Sequence, residues 1–195
     1  MGTPYGTTPS PAPETRKAGL SPALARAKLR GMTPNDLVLT PCGLRFRNRL
    51  FPCTAGRGGI TVRKREGDSA TPTGTHRIVG MLYRPDRMAL PTDWAVPIRP
   101  GDLWSDDPSD ADYNMMVRAP YGPSHERLRR ADPLYDLIIL TDWNWPYAVP
   151  GRGSAIFMHR WRRPGYPTEG CIGLDARDLL WIARHIQYST RLIVR

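Results

Sequence analysis

Apolar and polar residues alternate with a period of two over Leu44-Arg45-Phe46-Arg47-Asn48-Arg49-Leu50. That period marks a strand with one buried and one wet face. The apolar run Leu37-Val38-Leu39 and the turn residues Pro41-Cys42-Gly43 precede it. Together they predict an antiparallel hairpin. Further strands are predicted at Ile60-Thr61-Val62, at residues 76–82, at Leu137–Thr141 and at Leu192-Ile193-Val194. Ala155-Ile156-Phe157-Met158 predicts a strand that ends at His159. Near the C-terminus the period changes. Leu179, Ile182, Ala183 and Ile186 recur at i, i+3, i+4 and i+7, one face of an amphipathic helix. Asp175 is placed to cap it, with Asp178 in its first turn. Residues 84–133 show neither period and are dense in Pro, Asp, Trp and Tyr. They predict long ordered loops anchored by Trp94 and Trp104. The pattern describes a mixed, β-dominated domain with one clear helix.

Residues 1–34 stand apart. Pro4, Pro9, Pro11, Pro13 and Pro22 and the absence of an apolar core segment predict a disordered arm, with a short helix over 23–29. Met32 is an alternative start, which would make the arm a gene-model artefact. Residues 35–195 form the predicted single domain. Neither start supplies a secretory signal, so the expected compartment is the cytoplasm, with the periplasm as the alternative.

Composition narrows the class. Gly 18 and Pro 21 favour turns and short strands over a helical bundle. No run approaches the roughly 18 apolar residues of a membrane helix, so no membrane span is expected. The net charge is +10, carried by 25 Arg against 3 Lys. These form no basic stripe and accompany no nucleic-acid motif, so they read as surface charge, and no nucleic-acid partner is expected. Cys42, Cys53 and Cys171 are too few for a disulfide framework, and the first two are expected to be reduced. His76, His125, His159 and His185 show no metal-ligand spacing. No metal and no organic cofactor are expected.

The chemistry lies in one stretch. His159 closes an apolar strand, and Cys171 follows twelve residues later in Thr168-Glu169-Gly170-Cys171-Ile172-Gly173-Leu174. A thiol becomes a nucleophile as its thiolate, which needs a base or a cation nearby. A loop of this length can fold back and bring imidazole to sulfur. Gly170 permits unusual backbone angles, and amides beside Cys171 are candidates for an oxyanion site. By spacing alone, a buried inert cysteine and a packed strand-end histidine remain the alternative.

The residues themselves resemble the L,D-transpeptidase catalytic domain family, of YkuD type. That family carries a strand-end His and then a Ser/Thr-His-Gly-Cys block, followed by an apolar residue and usually Arg or Asn. Upstream, Ala70-Thr71-Pro72-Thr73-Gly74-Thr75-His76-Arg77-Ile78 is similar to its Thr-Pro-x-Gly segment. Residues 37–56 are similar to its opening hairpin. The resemblance implies a β-rich, sandwich-type catalytic fold. It implies Cys171 as nucleophile and His159 as general base, acting on peptidoglycan stem peptides through a thioester with release of terminal D-alanine. An amine acceptor would make the protein a transpeptidase. Water would make it an L,D-carboxypeptidase acting on recycled muropeptides. A non-catalytic peptidoglycan-binding module is the reading from another class.

Two positions depart from the family. Glu169 stands where the family has His, and Gly173 where it has Arg or Asn. Glu169 either orients His159 or holds the loop, paired with Arg160, Arg162 or Arg163, or is a solvated loop residue. With Thr168, Gly170 and Arg160 it makes up the candidate substrate or oxyanion set. His125-Glu126 near Tyr121 either lines a groove or lies in a surface loop. Trp143-Asn144-Trp145 either walls the cleft or packs as core, and Arg152 is a further candidate for a substrate carboxylate. His185 is expected to be structural.

Overall fold

The alternation over residues 44–50 builds two strands rather than one. In a computed structural model of the protein, in which residues 31–195 are described, β1 (Leu37–Thr40), β2 (Gly43–Phe46) and β3 (Arg49–Phe51) form an antiparallel meander. Arg47 and Asn48 split the run, with φ of 45° and 61°. Two successive positive φ values make the type I′ turn that matches strand twist. The arm through residue 30, with its expected helix over 23–29, lies outside the described residues.

The chain continues through β4 (Cys53–Thr54), β5 (Ile60–Thr61), β6 (Thr71–Pro72), β7 (Gly74–Tyr83) and β8 (Val96–Pro97). Next come β9 (Asp102–Ser105), β10 (Met116–Arg118), β11 (His125–Arg127) and β12 (Leu137–Thr141). It ends with β13 (Phe157–Arg160), β14 (Ile172–Leu174), α1 (Ala176–Ala183) and β15 (Arg191–Val194). The main sheet runs in the order β3-β2-β1-β15-β7-β12-β13-β14-β4, with β8 beside β7. Its terminal strands β3 and β4 are separated in sequence only by Pro52. The sheet therefore curls back on itself into a near-barrel, a strand-dominated fold with one α-helix among the described residues.

The predicted helix face is the one buried. Leu179, Ile182, Ala183 and Ile186 pack with Leu37, Leu44, Phe51 and Leu192 in the larger core cluster. Each fully buried aliphatic side chain of this kind contributes roughly 1.5–3 kcal/mol. Asp175 caps α1 by accepting the Arg177 amide at 2.8 Å. The helix ends at Ala183, so Ile186 packs from beyond its C-cap Arg184. A second cluster joins Leu82, Ile98, Trp104, Ile138 and Phe157 to Cys171.

Residues 84–133 are not only loops. β10, β9 and β11 form a three-stranded antiparallel sheet. All four residues of β9 are buried, which erases the alternation a strand shows when one face is wet. Trp104 anchors this sheet edge-on to Phe157, with ring centroids 4.9 Å apart. Trp94 packs at the margin of the larger cluster. The strand expected from Ala155 starts instead at Phe157 and carries His159 in its interior. Ala155 has φ of 51°, which no strand residue adopts. Val62 lies outside β5 and is exposed. No helix among the described residues is long and apolar enough to cross a membrane.

Candidate active site

β13 and β14 run parallel, with Met158 opposite Ile172 and His159 opposite Gly173. One step back along this register sets Cys171 opposite Phe157. Paired residues share a face, and the face repeats every second residue. Cys171 and His159 therefore project to the same side of the sheet. Both line a cavity of about 490 Å³.

His159 is buried, and its Nδ1 lies 2.7 Å from the Arg160 carbonyl. A carbonyl only accepts, so Nδ1 carries the proton and Nε2 keeps its lone pair. The Tyr135 ring stands edge-on at 5.2 Å. Burial pushes the imidazole pKa down to about 4; the Arg160 carbonyl opposes this shift and the Arg130 charge adds to it. The ring is neutral near pH 7.

The Cys171 sulfur is also buried. It donates to the Ala155 carbonyl at 3.0 Å and accepts the Phe157 amide at 3.4 Å. Burial pushes the thiol up to about 12; Glu126 adds to the shift, while the Phe157 amide and Lys64 oppose it. The site thus pairs a neutral thiol with a neutral base, and the sulfur is bonded to the 155–157 backbone rather than to the imidazole.

The turn before Cys171 is fixed from three sides. The Thr168 hydroxyl donates to the Cys171 carbonyl at 2.5 Å and accepts the Gly170 amide at 3.2 Å. Gly170 has φ of 137°, and a Cβ there would stand 3.0 Å from the Ala70 carbonyl oxygen. Only glycine fits. The Thr71 hydroxyl donates to the Gly170 carbonyl at 2.8 Å and accepts the Gly56 amide at 2.9 Å. This is what the Thr-Pro segment contributes.

Glu169 departs from its expected partners. It accepts from Arg57 and from the Ser69 hydroxyl, and not from Arg160, Arg162 or Arg163. An isolated parallel bridge between Gly56 and Thr168 brings Arg57 there, a tertiary contact with no local signal in the sequence. Glu169 holds the loop and does not orient His159. Gly173 also has a local cause. A Cβ would stand 2.7 Å from Thr54 Oγ1 and 3.2 Å from both Thr168 Cγ2 and Trp161 Cβ.

The Arg160 side chain is exposed, one strand step out of phase with His159, and only its carbonyl serves the site. The cations that line the cavity are Lys64, Arg130 and Arg162. The Lys64 side chain is 3% exposed and bonds Asp68 at 2.6 Å. It is one of only three lysines in an arginine-rich chain, a signal the sequence carried. Arg130 pairs with Asp132 at 2.6 Å and lies over the Tyr135 ring. His125-Glu126 divides. Glu126 lines the cavity and accepts the Tyr135 hydroxyl at 2.5 Å, and burial raises its pKa. His125 turns to the Pro123 carbonyl and the Tyr121 ring. Trp143 packs against His76, with Arg152 over its ring. His185 stacks on Trp181 at 4.0 Å. Cys42 and Cys53 are free thiols on a second, separate cavity. No group of three or more potential ligands is placed to hold a metal ion among the described residues.

The family model of the YkuD, L,D-transpeptidase catalytic domain matches residues 43–194. No curated protein and no solved structure matches the chain.

Proposed function

The chain belongs to the L,D-transpeptidase catalytic domain family, and from that premise we propose that it is a cysteine acyltransferase acting on peptidoglycan stem peptides. One observation carries the reading: His159 Nδ1 is tied to the Arg160 carbonyl, which leaves Nε2 as a base on the face that it shares with Cys171.

The reaction needs no ionised thiol at the outset. His159 Nε2 takes the Sγ proton as sulfur attacks the carbonyl carbon at the L-centre of the stem peptide. The tetrahedral intermediate collapses, the bond to the terminal D-alanine nitrogen breaks, and His159 returns the proton to that amine. A thioester remains. An acceptor then loses a proton to His159, attacks the thioester and frees the Cys171 thiol. With an amine acceptor the product is a cross-link or an exchanged peptide; with water it is a shortened stem. The cations of the cavity, Lys64, Arg130 and Arg162, are the candidates to receive the substrate carboxylate.

Mass spectrometry of purified protein with a disaccharide tetrapeptide, with and without a D-amino-acid acceptor, tests this. Loss of one D-alanine in wild type but not in Cys171→Ala supports the acyltransferase. A shortened stem alone identifies hydrolysis, and an exchanged or dimeric product identifies transpeptidation. Binding without product in either protein would overturn the enzyme reading and leave a peptidoglycan-binding module.

A further inference from the structure

The segment that cradles the sulfur is itself held by adjacent side chains from the connection between β9 and β10. Tyr113 accepts the Gly153 amide at 3.0 Å and donates its hydroxyl proton to Glu66. Asn114 is buried, and its carboxamide is saturated. Its Oδ1 accepts Trp104 Nε1–H at 3.0 Å and the Ala155 amide at 2.9 Å. Its Nδ2 donates to the carbonyls of Trp143 at 3.1 Å and Asn144 at 2.8 Å. These are all the bonds that a primary amide can make.

Ala155 has φ of 51°, a region that Asn114 (φ 61°) and Asn144 (φ 51°) also occupy but that asparagine tolerates and alanine disfavours. An alanine in that region is strained and persists where its surroundings over-determine it. Its carbonyl is the acceptor of the Cys171 thiol. The following peptide is fixed by Thr141, whose hydroxyl donates to the Ile156 carbonyl at 2.6 Å. The next amide, Phe157, donates to the same sulfur.

We propose that Asn114 is a positioning residue for Cys171: it pins Ala155 in the left-handed conformation that aims the Ala155 carbonyl at the thiol. This rests on Cys171 as the nucleophile. It gives the three-stranded sheet a task, since Trp104 lies on β9 and Asn114 stands two residues before β10.

The test joins thiol reactivity to turnover. In Asn114→Ala the Ala155 carbonyl is released, so the neutral thiol loses its acceptor and the sulfur loses its aim. The pH midpoint for iodoacetamide alkylation of Cys171 falls by roughly one unit. The kcat on tetrapeptide falls about tenfold or more, with KM within about threefold. The ionisable groups around the sulfur, Glu126, Tyr135, His159 and Lys64, are the same in every variant. Adding Ala155→Gly removes the cost of the positive φ and recovers most of the lost kcat. A role confined to bracing Trp143 and Asn144 would not respond to residue 155. Wild-type midpoint and kcat in Asn114→Ala overturn the proposal, as does a loss that Ala155→Gly leaves unchanged. Should Asn114→Ala fail to fold, Trp104→Phe deletes one donor to Oδ1. A smaller shift in the same direction then supports the proposal, and wild-type values overturn it. Alkylation requires no substrate. A midpoint shift in a protein inert toward tetrapeptide would therefore count against acyl transfer and not against this role of Asn114.

Discussion

Arg57 and Glu169 stand 112 residues apart and clamp the turn that leads into Cys171. Arg57 Nε donates to one carboxylate oxygen at 3.1 Å and Nη2 to the other, while Ser69 donates at 2.7 Å. The backbone repeats the tie through the Arg57 amide and the Thr168 carbonyl at 2.9 Å. Both side chains are mostly exposed, so the pair adds little to global stability. Its effect falls on the turn. Glu169→Gln is expected to leave the melting temperature unchanged and to raise KM for tetrapeptide roughly threefold, since the substrate wall is less firmly placed. Arg57 first, and then Ser69, hold the Glu169 carboxyl below its ordinary value. The small contribution of the pair is therefore complete above the unfolded carboxylate pKa and is lost as pH falls through the lower folded one. A large drop in melting temperature at pH 7 would assign the pair a structural role instead.

His159 is expected to make the fold sensitive to mild acid. Its folded pKa is about 4, below the roughly 6.5 of an exposed imidazole. Between those values the unfolded chain binds more protons, so stability rises with pH across the interval. The contribution is complete above about pH 6.5 and is lost as pH falls toward 4, with an upper bound on the order of 3 kcal/mol. Urea midpoints at pH 7 and pH 5 check this. Wild type loses stability between the two, and His159→Gln loses distinctly less. Equal losses would assign the acid sensitivity to other groups.

The parts of the fold that were legible are those where one face is wet. Arg45 and Leu44 alternate because β2 has a solvent side, and Leu179 and Ile182 recur because α1 lies on the surface of the core. β9 gave no such pattern, since Asp102, Leu103, Trp104 and Ser105 are all buried. At the candidate site, the types and order of His159 and Cys171 single them out in the sequence, and the structure brings both to one cavity. Their surroundings could not. Glu126 reaches the cavity through the pairing of β11 with β9, and Arg57 reaches Glu169 through a single bridge. The apolar run places Ala155 in a strand because alanine fits such a run, and nothing in its identity announces its positive φ.

Gly173 is expected to resist the residue that the family usually carries there. Gly173→Asn places a Cβ 2.7 Å from Thr54 Oγ1, a buried hydroxyl with no hydrogen-bond partner. Overpacking of this kind costs about 1–3 kcal/mol. Thr54→Ala removes the obstructing oxygen, which is also the unsatisfied polar atom. The two sites are in contact, so their effects are coupled. The double variant should recover at least about half of the loss measured by urea denaturation. Strictly additive losses would mean that the strain lies against Trp161 and Thr168 instead.

The two ends of cysteine exposure on this chain give opposite reactivities. Cys42 is exposed, whereas the Cys171 thiol is buried and held as a donor to Ala155. At pH 7.5, peptide mapping after brief iodoacetamide treatment should find Cys42 modified about a hundredfold faster or more, because alkylation samples the thiolate. Acylation by a stem peptide follows a different rule. In the proposed acyl transfer the bound substrate would bring its carbonyl to the sulfur and His159 Nε2 would accept the proton as the bond forms, so a low thiolate population would be no obstacle. Cys171 should therefore be slow toward iodoacetamide and still acylated by tetrapeptide. His159→Gln should abolish the acylation and leave the slow alkylation in place. Alkylation of Cys171 as fast as that of Cys42 would instead mean that the sulfur is ionised before substrate arrives, with His159 acting as a counter-ion and not as a base.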